Sequence, residues 1–482
     1  MSADPLSLGI DVGTGSVKAA LFDAAGAQLG VGSAILEIHE PRPGWVESDP
    51  EQWWSALTSA VAHAVGDKRA RVAAIGLSGQ MHGVVLSGPD GAPLHPALLS
   101  LDRRALPDLD AYRSIAPEVL SALGNPLVPG MAGPLLHWLA SHEPALIEKA
   151  AWALQPKDWV RLRLVGRPGS EPSDASGTLL FDLAANTWAW EVVAALGLPA
   201  SLLAPLGESG RSAGPLSEKA ASLLGLHAGI PVAFGAADTA AALVGTALPR
   251  SGAVQLTVGS AAQVVTLREE PTPDPRLRYH VFASAELGLW YALAAVQVAG
   301  VALSWALRVF GCTWEEAYRC LATSPVGARG VLFVPHLAGA RSPSMDSKAT
   351  AGFWGLELAQ NRADLVRAVF EGVAFSVAEA AQVLPELAEA TSVYLAGGGS
   401  LQPSWRQLLS DVLGKTLLVV GDPNASARGA ALLGWRAANV VDPVPKATAV
   451  AEKIEPDASV HVSLAATFER WKAAAAAMNP TR

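Results

Sequence analysis

Short apolar runs separated by small or polar residues recur along the chain and predict strands alternating with helices. Leu8–Gly9–Ile10 reads as a short buried strand ending at Asp11, and Val17 to Phe22 reads as its partner. The small residues between them, Gly13, Thr14, Gly15 and Ser16, suit a tight turn. Residues 47–65, "ESDPEQWWSALTSAVAHAV", read as a helix with Asp49 as N-cap, Pro50 at the first position and Gln52 closing a capping box. "RVAAIGLSG" (71–79) reads as a buried strand running into a loop, and proline-rich loops punctuate residues 89–134 and 199–215. Residues 253–267, "AVQLTVGSAAQVVTL", then repeat the opening pattern, with Gly259–Ser260–Ala261 as the turn. A hairpin of one design near the start of each half predicts an internal duplication, with two similar domains facing a cleft.

One apolar stretch bears on membrane association. Leu289 to Leu307 carries no charge and approaches the length of a bilayer span. Gln297, Gly300 and Ser304 interrupt it and no basic residues flank it, so a strand followed by a buried helix is expected.

Composition narrows the class. A chain of 482 residues is long for one core, so two domains are expected. Half the residues are hydrophobic and 16% are charged, which describes a well-buried globular enzyme. The formal net charge of −9, without long Lys/Arg runs, argues against a nucleic-acid partner. Cys312 and Cys320 stand about two helical turns apart, a reduced, cytoplasmic pattern with no metal spacing. "MSADPLSLGID" lacks the basic region and long apolar core of a signal peptide.

The glycine turns carry the candidate chemistry. Glycine lets the backbone approach a ligand, and successive amides in such a turn form an anion-binding hollow. In that reading Asp11 manages Mg²⁺ through water and Lys18 returns toward a phosphate. The other reading is an ordinary hairpin whose glycines serve geometry alone. A strand follows, not a helix, so this is no dinucleotide fingerprint. A third cluster, Gly397–Gly398–Gly399–Ser400, separates the strand "SVYLA" from the helix "PSWRQLLSDVLG", a place suited to anions or to adenosine lying on the backbone. "GKT" at 414–416 imitates the end of a Walker A loop, but Leu409 stands where its first glycine is required.

The chain resembles the FGGY carbohydrate kinases over nearly its whole length, and among them most nearly the xylulose kinases. The resemblance rests on "GIDVGTGSVKAALFD", "PGWVESDPEQWW", "GLSGQMHGVVL", "QPKDWVRLRLVG", "SDASGT", "GAADTAA", "GFWGLELAQNRADLVRAVFEG" and "AGGGSLQPSWRQLLSDVLG", in that order and spacing. It implies an α/β chain of two actin-like (ribonuclease H-like) ATPase domains with mixed sheets flanking a catalytic cleft, here residues 1–246 and 247–482. It also implies transfer of the γ-phosphate of ATP, with Mg²⁺, to a sugar hydroxyl. D-xylulose is the first substrate to test, with another ketose or polyol as the alternative. Neither a membrane nor a nucleic acid is expected as partner, and a homodimer is left open.

By resemblance Asp11 is the magnesium-associated aspartate, Gly13, Thr14, Gly15 and Lys18 form the first phosphate loop, and Gly259 and Ser260 the second. Gly398 and Gly399 match the adenosine motif, with Gly300 near the nucleotide. Met81 and His82 match the sugar-contacting loop, Asp102 and Thr239 fall among the sugar-side positions, and Asp238 matches the catalytic base. Plainer roles stand beside these: a satisfied loop histidine for His82, core filling for Met81, and a helix N-cap for Asp238. As a carboxylate at a helix N-terminus, Asp238 is expected to keep an unraised pKa.

Most departures from the family pattern fall around the sugar and the domain interface. Thr239 replaces an asparagine, Ser100–Leu101–Asp102 a Trp-Asn-Asp, Leu135 a lysine and Ala340 a glutamate. The second loop reads Gly-Ser-Ala in place of Gly-Thr-Ser. Thr for Asn removes an amide that donates and accepts at once, and Ser for Trp removes a flat wall. With Asp11, Asp238 and the glycine loops retained, the pattern favours a working kinase of altered specificity. A nucleotide-gated binding protein and a silent sugar sensor are the rivals.

Overall fold

The computed structural model describes residues 4–248, 252–421, 424–440 and 450–480. Each half of the chain contributes one seven-stranded mixed sheet. In the first, Leu6–Val12 pairs antiparallel with Ser16–Phe22, which pairs antiparallel with Gln28–Ile35. On its other side Leu6–Val12 runs parallel to Val72–Gly79, beyond which lie Pro231–Ala233 and Ser212–Pro215. The second sheet repeats this plan. Val254–Val258 and Ala262–Arg268 form the hairpin, Trp290–Val296 is the third antiparallel strand, and Ser392–Ala396 and Thr416–Val420 run parallel on the far side. Two sheets of one topology bear out the duplication expected from the glycine-turn hairpins.

The period-two alternation of a strand explains how the first sheet is covered. Leu6, Leu8, Ile10 and Val12 pack in one core with Trp53, Leu57 and Val61 of the Pro50–Val65 helix. Ser7 and Gly9 face the opposite way, and their partners on the Val72–Gly79 strand, Ala74 and Gly76, are small too. This flat face receives the Ala425–Ala437 helix, which comes from the other half of the chain. The approach is backbone to backbone: a Cβ at Gly9 would lie 1.8 Å from the Ala427 carbonyl oxygen, and one at Gly76 1.7 Å from that of Ala430. Ser7 Oγ adds a 2.7 Å bond to the Ala431 carbonyl. The same helix meets the Asp238–Thr246 helix as closely, Gly429 lying against Ala241 and Gly245 against Ala425.

Two local expectations change. Asp49 caps the first helix, but its carboxylate accepts from the Glu51 N–H at 3.0 Å, and the Gln52 N–H goes to the Asp49 carbonyl at 3.1 Å. Gln52 therefore closes no capping box. The apolar stretch at 289–307 divides into the strand Trp290–Val296 and the helix Gly300–Phe310. That helix is buried along one face only, through Ala302, Leu303 and Ala306, while Val301 and Val309 are exposed. Among the described residues no helix is long and apolar enough to cross a membrane.

Candidate active site

The small-residue face of the first sheet ends in a carboxylate. Asp11 follows Ser7 and Gly9 in the alternation, and its register partner Ser78 follows Ala74 and Gly76. Ser78 Oγ donates to Asp11 Oδ1 at 2.9 Å, and Lys18 is its partner across the hairpin. Burial raises the Asp11 pKa, opposed by the Ser78 bond and the charge of Lys18. Asp238 arrives at this end of the sheet as the first residue of its helix. Its carbonyl accepts a 3.2 Å bond from Ser426 Oγ of the Ala425–Ala437 helix.

The N-cap position belongs to Ala237, which has no capping side chain, so Asp238 does not act as the helix cap. Its Oδ1 accepts instead from the Thr239 N–H at 2.6 Å, with the Thr239 hydroxyl at 3.2 Å. Nor is its pKa left unraised: burial first, and the charge of Asp11 second, push it up to about 6. A nine-residue helix supplies too little dipole to offset desolvation beside a second carboxylate. The Thr239 hydroxyl also lies 3.3 Å from Gln263 Oε1 on the second hairpin, so its single proton serves one acceptor at a time.

Met81 and His82 follow the Val72–Gly79 strand a few residues beyond Ser78. Burial lowers the His82 pKa to about 4, so the ring is neutral at pH 7. Its Nδ1 lies 2.7 Å from the Gly177 carbonyl, which can only accept. The proton therefore sits on Nδ1, and Nε2 is left as an acceptor. His82 holds φ at 77°, the left-handed region, within its glycine-flanked loop. Met81 is buried, with its sulfur 3.6 Å from the Tyr291 hydroxyl of the second sheet, so it fills core where the halves meet. Asp102 is already engaged: its oxygens accept from the Val46 N–H at 2.6 Å and from the Arg104 side chain at 3.0 Å. Arg104 also pairs with Glu47 at 2.6 Å and lies over the Trp45 ring. Leu135 is fully buried in apolar core, and Leu101 is exposed.

A cavity of about 830 Å³ opens in the second half of the chain. Gly259, Ser260, Gly300, Gly398 and Gly399 all line it, joined by Arg308, Trp314, Tyr318 and Gln402. A Cβ on Gly300 would lie 2.4 Å from the Gly259 carbonyl oxygen, and one on Gly399 2.9 Å from that of Val258. Glycine is required at both positions for close approach of the backbone. Gly13, Thr14, Gly15 and Lys18 do not line this cavity; their hairpin adjoins the carboxylate pair. The two turns differ by one residue: the Gly13 N–H donates to the Ser16 carbonyl at 3.0 Å, and the Gly259 N–H to that of Ala261 at 2.8 Å. The "GKT" imitation is structural: Gly414 ends a helix at φ 62°, and Lys415 Nζ caps the Ala390 carbonyl at 2.7 Å.

Behind Asp238 lies a charge cluster that the sequence left without a role. Lys157 Nζ sits 2.5 Å from Asp158, 3.2 Å from Asp174 and 3.5 Å from Glu171, every side chain fully buried. Arg161 joins Asp158 at 2.8 Å. Burial first pushes the Asp174 carboxyl well above its ordinary range, opposed by the charge of Lys157. The signal was present in "QPKDW" and "SDASGT", where charged residues stand in otherwise buried stretches. Ser78 and Gln263 had no such signal.

A family model of the FGGY family of carbohydrate kinases, N-terminal domain, matches residues 6–245, and the C-terminal domain model of the same family matches residues 254–438. The xylulose kinase of Escherichia coli (strain K12) is 33% identical over 437 residues, 90% of either chain. The xylulose kinase of Bacillus subtilis (strain 168) is 30% identical over 440 residues, covering 89% of this chain and 88% of that protein. A crystal structure of a "xyloylose kinase" from Brucella ovis superposes with a TM-score of 0.88 at 32% identity, covering 97% of this chain and 98% of that one.

Proposed function

We propose that this chain, which belongs to the FGGY family of carbohydrate kinases, transfers the γ-phosphoryl group of ATP to a hydroxyl of a ketose, with D-xylulose the first acceptor and xylulose 5-phosphate its product. The observation that carries the reading is the convergence of Asp238, held at about 6 by burial and by Asp11, on the end of the first hairpin. The E. coli and B. subtilis xylulose kinases support the choice of acceptor.

In this reading Asp238 and the free Nε2 of His82 hydrogen-bond the sugar hydroxyls. Asp238 accepts the hydroxyl proton as the new O–P bond forms and the bond to the bridging oxygen of ADP breaks. The glycine-walled cavity holds the nucleotide, with Gly398 and Gly399 against adenosine, and amides of both hairpins meet the phosphates. Asp102, taken up by Arg104, braces the sugar-side wall rather than binding sugar.

Mg²⁺ fits Asp11. Among the described residues no group of three or more His, Cys, Asp or Glu forms a cage, and Mg²⁺ keeps waters and substrate phosphates around one or two carboxylates. When bound, it neutralises charge on the phosphates. The domains divide at residues 1–246 and 247–482, with the Ala425–Ala437 helix lent back to the first, and the free thiols Cys312 and Cys320 suit the cytosol.

A second acceptor, another ketose or a polyol, is favoured by Thr239, whose hydroxyl has one proton, turned toward Asp238 or Gln263, where an amide would offer two N–H donors and a separate carbonyl. Coupled ADP release with and without a panel of ketoses and polyols tests both readings. Release that depends on D-xylulose supports the first reading and release that depends on another sugar the second. Release indifferent to every sugar overturns the kinase reading.

A further inference from the structure

The peptide group just ahead of Asp238 is held by a side chain from a distant segment. The Ala237 N–H donates to Ser173 Oγ at 2.9 Å, and Ser173 Oγ donates in turn to Glu171 Oε1 at 2.8 Å. Both side chains are fully buried. Glu171 is fixed from other directions by the Ser173 N–H at 2.9 Å, the Asp174 N–H at 3.0 Å, Ser209 Oγ at 2.8 Å and Lys157 at 3.5 Å. The anchor is therefore rigid, and the bond it makes falls at the N-cap residue that no side chain caps.

From this geometry we infer that Ser173 is a positioning residue for the phosphoryl-transfer reaction: its hydroxyl, locked by Glu171, fixes the Ala237 peptide and so aims the Asp238 carboxylate. The same turn reaches the other lobe. Ser176 Oγ donates to the Ser173 carbonyl at 3.1 Å and accepts from the Ala283 N–H, on an edge strand of the second sheet, at 3.0 Å. Movement of that strand relative to the first domain thus passes through one turn of chain to the base. A serine whose only task was to satisfy a buried amide would need neither the ionic anchor nor the link across the lobes.

The inference rests on Asp238 being the base, and its test separates the two. Asp11 from the first strand is the charged group that acts on Asp238, and the charge of Asp238 in turn acts on Tyr291 of the second sheet. Glu171, Asp174, Lys157, Asp158 and Arg161 stand behind Ser173. Ser173→Ala removes the acceptor of the Ala237 N–H and one of the donors to Glu171, and leaves every charge itself in place. The expected result is a fall in kcat of about tenfold or more, with KM for ATP unchanged within twofold. With the helix start relaxed away from Asp11, the acid limb of kcat/KM should move below about 6. In an Asp238→Asn background the same substitution should have no further effect, because Ser173 acts through that carboxylate.

A purely structural serine would lower the melting temperature and leave the acid limb in place, which overturns the proposal. So does an equal loss of turnover in both backgrounds. Full turnover by Asp238→Asn alone would sink the base assignment instead. Titration of Asp238 by carbon-13 NMR, with and without Ser173→Ala, would then still decide whether Ser173 sets its environment. Should Ser173→Ala fail to fold, Glu171→Gln keeps an oxygen for the serine but weakens its hold. It is expected to move the limb in the same direction, and an unmoved limb counts against the inference.

Discussion

Asp238 is ionised at pH 7 yet is a stronger base than an ordinary aspartate, because burial and Asp11 push its pKa up to about 6. Replacing it with Asn should lower turnover by about two to four orders of magnitude. The same change should stabilise the fold at alkaline pH. The carboxyl binds its proton more tightly in the folded chain than at its ordinary value of 3.8, so its contribution is complete below 3.8 and lost as pH rises through about 6. Without nucleotide or metal, Asp238→Asn should therefore melt above wild type at pH 8 and close to it at pH 4. An equal gap at both values would show that the carboxylate is not strained by burial. Asp11→Asn removes the second cause of the shift, so the acid limb of the residual activity should fall below 6. Turnover should drop with it and recover in part as magnesium is raised. A limb that stays in place would separate the two carboxylates. His82, with a pKa of about 4, adds no limb of its own between pH 5 and 8.

The glycine hairpins were legible because their signal is local: an apolar run, a small-residue turn and a second run lie within fifteen or so residues. The glycine-walled cavity was legible for the same reason, since Gly300 and Gly399 must be glycine where the chain packs that tightly. Gly300→Ala should push its Cβ into the Gly259 carbonyl, 2.4 Å away, and strain the turn by about 1–3 kcal/mol. KM for ATP should rise while that for the sugar holds, as initial rates at varied ATP would reveal. The raised pKa of Asp238 was not legible. Its causes are a buried setting and a carboxylate from the first strand, and both appear only when distant segments meet. The Lys157 cluster was hidden likewise, because the sequence displays its charges but not their pairing.

At the scale of the molecule the halves are not self-sufficient. Ser7, Gly9, Ala74 and Gly76 form a face too flat to be left to solvent, and Ala20 and Phe22 add an apolar cluster with Ala427 and Ala431. The helix that covers them begins at Ala425. A fragment of residues 1–246 should therefore lack cooperative melting and bind ANS, as loosely packed states do. A sharp thermal transition in that fragment would mean the face is closed some other way. The small residues of the first strand and the Gly- and Ala-rich helix were both visible in the sequence. Their complementarity was not, because nearly the whole chain separates them.

That loan of a helix also sets an order of events on the ribosome. Domains in a growing chain usually fold as they emerge, but the first sheet here cannot close until residue 437 has been made. At roughly 5–20 residues per second, the stretch beyond residue 246 takes about ten to forty seconds to synthesise. Through that interval the nascent first domain presents the bare backbone of Gly9 and Gly76 to the cell, an opening that a chaperone holding the chain would fill and the arriving helix would reclaim.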